Sequence, residues 1–563
     1  MRTVLTTLHS KFIHASLALP YLAAWCGEEC GQIDILEFTD HEPKESIAAH
    51  LLFDKPDVIA FSVYIWNRVS SLALIDLLHT IRPELRIVIG GPEVSFDDEQ
   101  LFAAHPGLSA LVHGEGELPL KSLLQAWNNG LEPADIPRLT WRSGDQIKSG
   151  PEGATLTDLD LIPSPFKLGL ADLNRGFSYF ETSRGCPYNC SFCMSALDKS
   201  VRSFSMERIQ DDLAFLIDKK VPKIKLVDRT FNYDAKRARQ IFEFILEHNK
   251  RSHFHFEIGA HLLDEETILL LEQVPAGMFQ FEIGVQSTLP QTLKQIDRKV
   301  STDRVLQNVA ALMSRTEVDI HLDLIAGLPG ESYSDFLHSI DTVMKLNPEH
   351  LQIEPVKLLP GAPLRSDAKR LGIRFDPNPP YTIVASDTMN YTQLEKIRAI
   401  SRLLDLSWNS GRLHDFLQRL AKSYGTFSTA FERLALFLRE QGHFRHPIGQ
   451  SALFDAIWKF VKTQDKDKEQ LREHLARDYA LAERVLPNRV PDFFDIALTD
   501  NEQNRVREYV ETEQETHRGN KVKLQFFAAR FKSLPPHTKH LRLYIYLTRS
   551  GKKQQVIERI ITN

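Results

Sequence analysis

The sequence predicts an α/β protein in three parts: a doubly wound N-terminal sheet, a partial barrel of six strand–helix units, and a mostly helical C-terminal domain with a small sheet. Three observations carry this. Strand-like and helix-like runs alternate with short connections over the first ~130 residues, the pattern of a parallel sheet covered on both faces. The alternation resumes from about residue 175 to about 365, with six strand candidates. Beyond about 366, helical periodicity dominates.

In order, RTVLTTL is β-rich and ASLALPYLAAWCGE reads as an amphipathic helix. Cys26 and Cys30, at helical i, i+4 spacing, read as small packing residues in preference to ligands. QIDILEF and PDVIAFSVY are strands separated by the helix KESIAAHLLFDK. VSSLALIDLLHTIRPE is a helix ending at a proline, and RIVIGGP runs into a glycine turn. LSALVHGEGE is a further strand and ELPLKSLLQAWNNG a helix with a glycine stop. PRLTWRSGDQIKSG reads as a hairpin about Ser143-Gly144-Asp145, and LTDLDLIPSPFKLG as a proline-punctuated linker. FSYFETSRG, KIKLVDRTF, HFEIGAH, FQFEIGVQ, VDIHLDLIAG and HLQIEPVKLLPG are the six later strands. KLQFFAARF and LRLYIYLT supply the terminal sheet, the second running towards Arg549-Ser550-Gly551-Lys552. The expected divisions are 1–135, a linker with a hairpin at 136–170, 171–365 and 366–563.

At 563 residues the chain is too long for one hydrophobic core. A net charge of −6 argues against a general electrostatic grip on nucleic acid, and KVKLQFF and SGKKQQ are too short to claim a nucleic-acid module. No apolar run approaches the ~20 residues of a membrane span, and MRTVLTTLHSKF lacks the pattern of a signal peptide. The expected location is the cytoplasm, with no membrane partner.

Five cysteines occur, and three crowd into Cys186, Cys190 and Cys193, spaced C-x-x-x-C-x-x-C. Thiolates suit iron–sulfur clusters and zinc. A structural zinc site needs a fourth ligand, and none lies within the loop. Three thiolates on a four-iron cluster leave one iron open to a small molecule.

The stretch ETSRGCPYNCSFCM resembles the radical S-adenosylmethionine (SAM) superfamily, including the aromatic Phe192 before the third cysteine. The resemblance implies a 4Fe–4S cluster on Cys186, Cys190 and Cys193, with SAM on the open iron. It implies reductive cleavage of SAM to a 5′-deoxyadenosyl radical, with a flavodoxin or ferredoxin as reductant. LVDRTFN places Asp228 at the end of the second strand, where the family presents groups to the SAM amino group, although the Gly-Gly-Glu form is missing. FEIGVQS places Glu282, Gln286 and Ser287 where family members contact the ribose and carboxylate. Arg298 is either a partner of that carboxylate or a surface charge. DLIAGLPGE keeps Ile325, Gly327 and Glu331 of a motif beside the adenine, but Asp323 replaces its first glycine. LLPGAPL, around Pro360 and Gly361, is similar to the family's sixth-strand exit.

FSVYIW and VIGGPEVS resemble the Rossmann-like cobalamin-binding fold, in which small strand-end residues let the backbone approach the cofactor. The residues implied are Ser62, Tyr64, Gly90 and Gly91, with Gly114 and Glu115 in a further tight loop. The D-x-H-x-x-G motif that supplies a cobalt ligand is absent; His9 and His14 stand in the corresponding loop, as ligands or as plain loop residues. The whole is similar to the cobalamin-dependent radical SAM class with an uncharacterised C-terminal domain. That implies methylation of an unactivated carbon through methylcobalamin. The competing readings are cyclisation, rearrangement or sulfur insertion with cobalamin in another role or absent, and a non-catalytic metal-binding protein. The substrate is not legible.

Overall fold

The computed structural model of the chain describes residues 1–561, apart from 98, 518–521, 535–540 and 550–553. Ser550, Gly551 and Lys552 of the terminal basic segment, and Lys521, lie outside the described residues.

The N-terminal sheet contains β1 (Arg2–His9), β2 (Gln32–Thr39), β3 (Val58–Ser62), β4 (Arg86–Gly90) and β5 (Leu108–Val112). Their spatial order is 2-1-3-4-5, and all pairs are parallel. Every residue of β3 is buried, as a central strand covered on both faces must be. The order reverses between β1 and β3, so a crevice opens beyond their C-terminal ends. The hairpin about Ser143-Gly144-Asp145 does not stand apart as a linker. Its strands β6 (Leu139–Ser143) and β7 (Gln146–Ser149) extend this sheet in antiparallel fashion.

The second sheet has six strands, β8 (Ser178–Phe180), β9 (Lys223–Leu226), β10 (His253–Ile258), β11 (Phe279–Gln286), β12 (Asp319–Ala326) and β13 (His350–Pro355). They lie side by side in chain order, all parallel, with the two outer edges unjoined, which makes a partial barrel. Side chains alternate across it. Phe254, Phe256, Phe279, Phe281 and Ile320 face the covering helices and are buried. The intervening positions turn polar residues into the lumen: Lys225, His255, Glu257, Glu282, His321 and Asp323.

The described residues after 366 form six α-helices, Tyr391–Leu406, His414–Tyr424, Phe427–Glu440, Gln450–Lys462, Lys468–Ala482 and Asp500–Thr516. A three-stranded antiparallel sheet follows. The helix Tyr391–Leu406 covers β13, the outer strand of the barrel. Just past it the Asn409 side chain accepts from the Leu351 N–H at 2.9 Å and donates to the Leu351 carbonyl at 2.9 Å. One amide thereby takes the place of a neighbouring strand and blunts an edge. One continuous apolar core runs from barrel strands through these helices to Tyr546.

The two remaining cysteines are not paired on one helix face as expected. The helix Ala18–Cys26 stops at Gly27, which has φ 61°, and Cys30 sits in a separate single turn. Both are buried in the N-terminal core.

Candidate active site

The loop after β8 carries the three cysteines. Gly185 opens it with φ 91°, and a Cβ there would lie 2.2 Å from the Ser200 carbonyl oxygen, so only glycine fits. The Cys186 N–H bonds the Asp198 carbonyl at 3.1 Å. The Ser191 N–H reaches the Ile296 carbonyl at 2.9 Å, and the Ser191 carbonyl accepts from the Leu364 N–H at 2.8 Å. The loop is thus tied to the exits of β11 and β13. Cys186 and Cys190 are buried and Cys193 is half-buried. Cys186 Sγ lies 3.6 Å from Thr230 Oγ1, Cys190 Sγ 3.5 Å from Arg298 Nη1, and Cys193 Sγ accepts from the Ser195 N–H at 3.4 Å.

Arg298 donates to the Gly284 carbonyl. A Cβ on Gly284 would lie 2.1 Å from Gln286 Nε2 and 3.5 Å from Arg298 Nη2, so Gly284, Gln286, Arg298 and Cys190 form one group. β11 bulges between Gly284 and Gln286, and Gln286 sits at φ 68°. Its Oε1 is buried without a hydrogen-bond partner. Asp228 is buried just before Thr230, accepting from the Thr182 N–H at 3.1 Å and from the Thr182 and Ser183 hydroxyls at 2.5 Å each. Burial raises its pKa against those bonds. Phe192 is half-buried against the main core.

The other expected SAM residues fall in two further places. Glu282 is in the barrel lumen, 2.9 Å from His255 Nε2 and 3.9 Å from both Lys225 and His321. Burial opposes its ionisation, but the His255 hydrogen bond and the charges of His321 and Lys225 hold its carboxyl at about 2. Ser287 and Glu331 are fully buried and bonded to each other. Burial pushes the Glu331 carboxyl up to about 8. Gly327 packs on Ile383 and Leu394, and Ile325 is half-buried on the lumen side of β12.

A cavity of about 1880 Å³ lies between the two parallel sheets, at the C-terminal ends of both. Ser62, Tyr64, Gly90, Gly91, Gly114 and Glu115 all line it. Gly91 has φ 110°, and a Cβ there would sit 2.5 Å from the Val63 carbonyl oxygen. Tyr64 stacks on Trp66 at 4.6 Å between ring centres. Glu115 is engaged across the domain boundary, 2.5 Å from Arg202 and 3.6 Å from Arg184. Arg184 also meets Glu117 at 2.8 Å and Glu181 at 2.7 Å. On the far side of the boundary the Tyr381 hydroxyl bonds Glu93. His9 and His14 both line the cavity; His14 Nδ1 is 3.0 Å from the Tyr179 hydroxyl.

Sequence reasoning did not single out the residues that the barrel contributes to this cavity: Lys225, Arg229 and Glu257, with Tyr179. Burial and the nearby Glu282 charge raise the Glu257 carboxyl to about 7, with Arg229 and Lys225 opposing. The signal was the alternation HFHFEI and KIKL, which sets Glu257 and Lys225 on the lumen face.

Comparisons with known proteins agree with this arrangement. Residues 3–124 match the B12 binding domain, 180–343 the radical SAM superfamily, and 369–538 a protein family of unknown function, DUF4080. The chain is 29% identical over 349 residues to the cobalamin-dependent radical SAM methyltransferase TokK of Streptomyces tokunonensis, covering 58% of this chain and 51% of TokK. It is 26% identical over 439 residues to the 2-(S-pantetheinyl)-carbapenam-3-carboxylate methyltransferase of Streptantibioticus cattleyicolor, covering 72% of this chain and 61% of that one. The match thus spans about half to three-fifths of these curated relatives. In fold, the chain is similar to the cobalamin-dependent SAM radical enzyme OxsB with aqua-cobalamin bound, at 17% identity and TM-score 0.62, over 92% of this chain and 84% of OxsB.

The radical SAM domain implies a 4Fe–4S cluster and SAM, and the B12 domain implies cobalamin; the residues present fit all three. Among the described residues no three His, Cys, Asp or Glu side chains converge closely enough to hold a single metal ion, whereas three thiolates on a four-iron cluster each bind a different iron. The unpartnered Gln286 Oε1 beside Arg298 offers a polar seat next to the cysteine loop. The cavity is also lined by Leu5, Ala60, Val88, Val112 and Leu120 of the N-terminal domain, an apolar wall that suits part of a bulky cofactor. The chain thus carries a radical SAM region, preceded by a B12-binding region and followed by a DUF4080 region.

Proposed function

We propose that the chain is a cobalamin-dependent radical SAM methyltransferase acting on an unactivated carbon. The observation that carries this reading is the shared cavity. Its ~1880 Å³ exceeds the roughly 300–1,000 Å³ of a pocket for one small ligand, and it runs from the strand ends of the N-terminal sheet to Met194 and Ser195 of the cysteine loop. When bound, the cofactors would supply a 5′-deoxyadenosyl radical that removes hydrogen from carbon and a methyl group to replace it.

The protein's residues position and shield. Cys186, Cys190 and Cys193 would hold the cluster, leaving one iron for SAM. Arg298 and Gln286 would hold the polar end of SAM, with Asp228 fixing the strand end behind the loop through Thr182 and Ser183. Ser62, Tyr64, Gly90, Gly91 and Gly114 would face cobalamin from the crevice. The Arg184 and Arg202 ion pairs with Glu115 and Glu117 hold the two domains together over the cavity and limit the entry of water. An external one-electron donor such as a flavodoxin or ferredoxin is required, consistent with an assignment to the cytoplasm.

The test is anaerobic reconstitution with iron, sulfide and cobalamin. The protein is then incubated with dithionite, methyl-labelled SAM and a deproteinised metabolite extract. The expected result is 5′-deoxyadenosine together with labelled carbon in a new product. Cys190→Ala should abolish 5′-deoxyadenosine at least a hundredfold while cobalamin is retained. 5′-Deoxyadenosine without label transfer would move the chain to the cyclisation, rearrangement or sulfur-insertion reading.

A further inference from the structure

On the barrel side of the cavity, two cations and one carboxyl group face open space. Lys225 is on β9 and Arg229 in the turn after it; Glu257 ends the lumen face of β10. Arg229 is exposed to the cavity. Among the described residues its guanidinium makes no ion pair and no side-chain hydrogen bond, and its electrostatic neighbours are Glu257 and Tyr64. Other arginines at this boundary are engaged: Arg175 with Glu37 at 2.8 Å, Arg184 with Glu117 at 2.8 Å, Arg202 with Glu115 at 2.5 Å. Lys225 is only loosely tied, 3.9 Å from Glu282. Glu257 has neither a hydrogen bond nor an ion pair from its side chain among the described residues, and so leaves the hydrogen-bonding fork of Arg229 unoccupied. A planar guanidinium left free in a partly enclosed cavity is a fork for a carboxylate or phosphate.

We propose that Arg229 and Lys225 form an oxyanion-binding site on the cavity floor, and that the substrate carries a carboxylate or phosphate group seated there with the Glu257 carboxyl beside it. This rests on the reading of the cavity as the place of reaction, and it adds the chemical class of what enters. A neutral hydrocarbon substrate would leave Arg229 desolvated and unpaired. An anionic one meets the Arg229 guanidinium, which makes no ion pair, and Lys225, held only at 3.9 Å by Glu282, while its carbon skeleton points towards the cysteine loop at Met194 and Ser195.

The test uses the full chain loaded with cluster, cobalamin and SAM, without reductant, so that no turnover occurs. Inorganic phosphate and 13C-acetate are titrated separately and followed by 31P and 13C line broadening. The expected result is saturable binding of at least one anion. Arg229→Met should weaken it about tenfold and Lys225→Met less, as expected for a charge-assisted hydrogen bond. Arg229→Lys should restore part of the affinity, and Arg315→Met, a surface ion-pair variant remote from the cavity, should leave it unchanged. Whichever anion responds distinguishes a phosphorylated from a carboxylated substrate. Unchanged binding of both anions in Arg229→Met overturns the proposal. So does a fall in cobalamin content or in SAM retention by equilibrium dialysis in that variant, since Arg229 would then serve a cofactor. Failure of the radical reading shows elsewhere, as absence of 5′-deoxyadenosine from wild-type protein with reductant, and leaves the anion titration intact.

Discussion

Glu331 has no exposed surface, and its Oε2 has no hydrogen-bond partner. Its other oxygen accepts from Ser287, and its backbone carbonyl accepts from the Thr388 hydroxyl at 2.9 Å. With the folded carboxyl pushed by burial from 4.5 to about 8, the native state keeps a proton that the unfolded chain releases. The sign follows: stability is fully present below about 4.5 and falls as pH rises towards about 8, by on the order of 2–4 kcal/mol. Glu331→Gln should flatten that dependence, as checked by urea midpoints between pH 5 and 8. A variant that keeps the wild-type slope would place the proton elsewhere. At this scale the grouping of the three cysteines on one loop was legible because their spacing alone defines it. The burial of Ser287 with Glu331 was not, because a GLPGE run reads the same whether it faces a ligand or a core. Arg229 was passed over for a similar reason: in LVDRTFN only the cavity distinguishes it from a surface charge.

Parallel strands covered on both faces are usually apolar throughout, and β3 obeys this. The barrel strands do not, since β10 to β12 alternate aromatic or aliphatic residues with His, Glu and Asp. Their polar face lines a lumen instead of a second helix layer, a pattern that the sequence carries but that was not read from it. The hairpin after residue 136 was recognised as a hairpin but not as part of the sheet, because an antiparallel addition to a parallel edge leaves no mark in local sequence. The outer barrel strand depends on a feature equally invisible in sequence, the Asn409 amide that brackets Leu351 from 58 residues away. Asn409→Ala should cost about 1–3 kcal/mol by leaving both backbone groups unpaired. Faster amide exchange at Leu351 should accompany it, and unchanged exchange there would mean that the helix alone protects the edge.

Across the whole molecule, the domains meet through charge on one side of the cavity and apolar packing behind it. Tyr21, from the N-terminal helix, is buried in the barrel's core, 6.5 Å from Phe166 and 6.2 Å from Phe204 between ring centres, with Arg184 over its ring at 5.8 Å. Arg184→Met would strand Glu117 and Glu181 in a desolvated boundary and should destabilise the chain by about 3–5 kcal/mol. The melting temperature should drop, with cobalamin released earlier than in wild type. A variant melting as wild type does would show that the apolar contact at Tyr21 suffices.

The helix Tyr391–Leu406 and its approach touch the barrel at three separate places: Thr388 on Glu331, Leu394 on Gly327, and the Ser401 hydroxyl on the Ile353 carbonyl at 2.9 Å. The DUF4080 region is therefore no detachable appendage. A chain cut near residue 366 would expose a raw strand margin and greasy helix seats, and should precipitate. A tail borrowed from a distant cousin would fit only if those seats were transplanted with it.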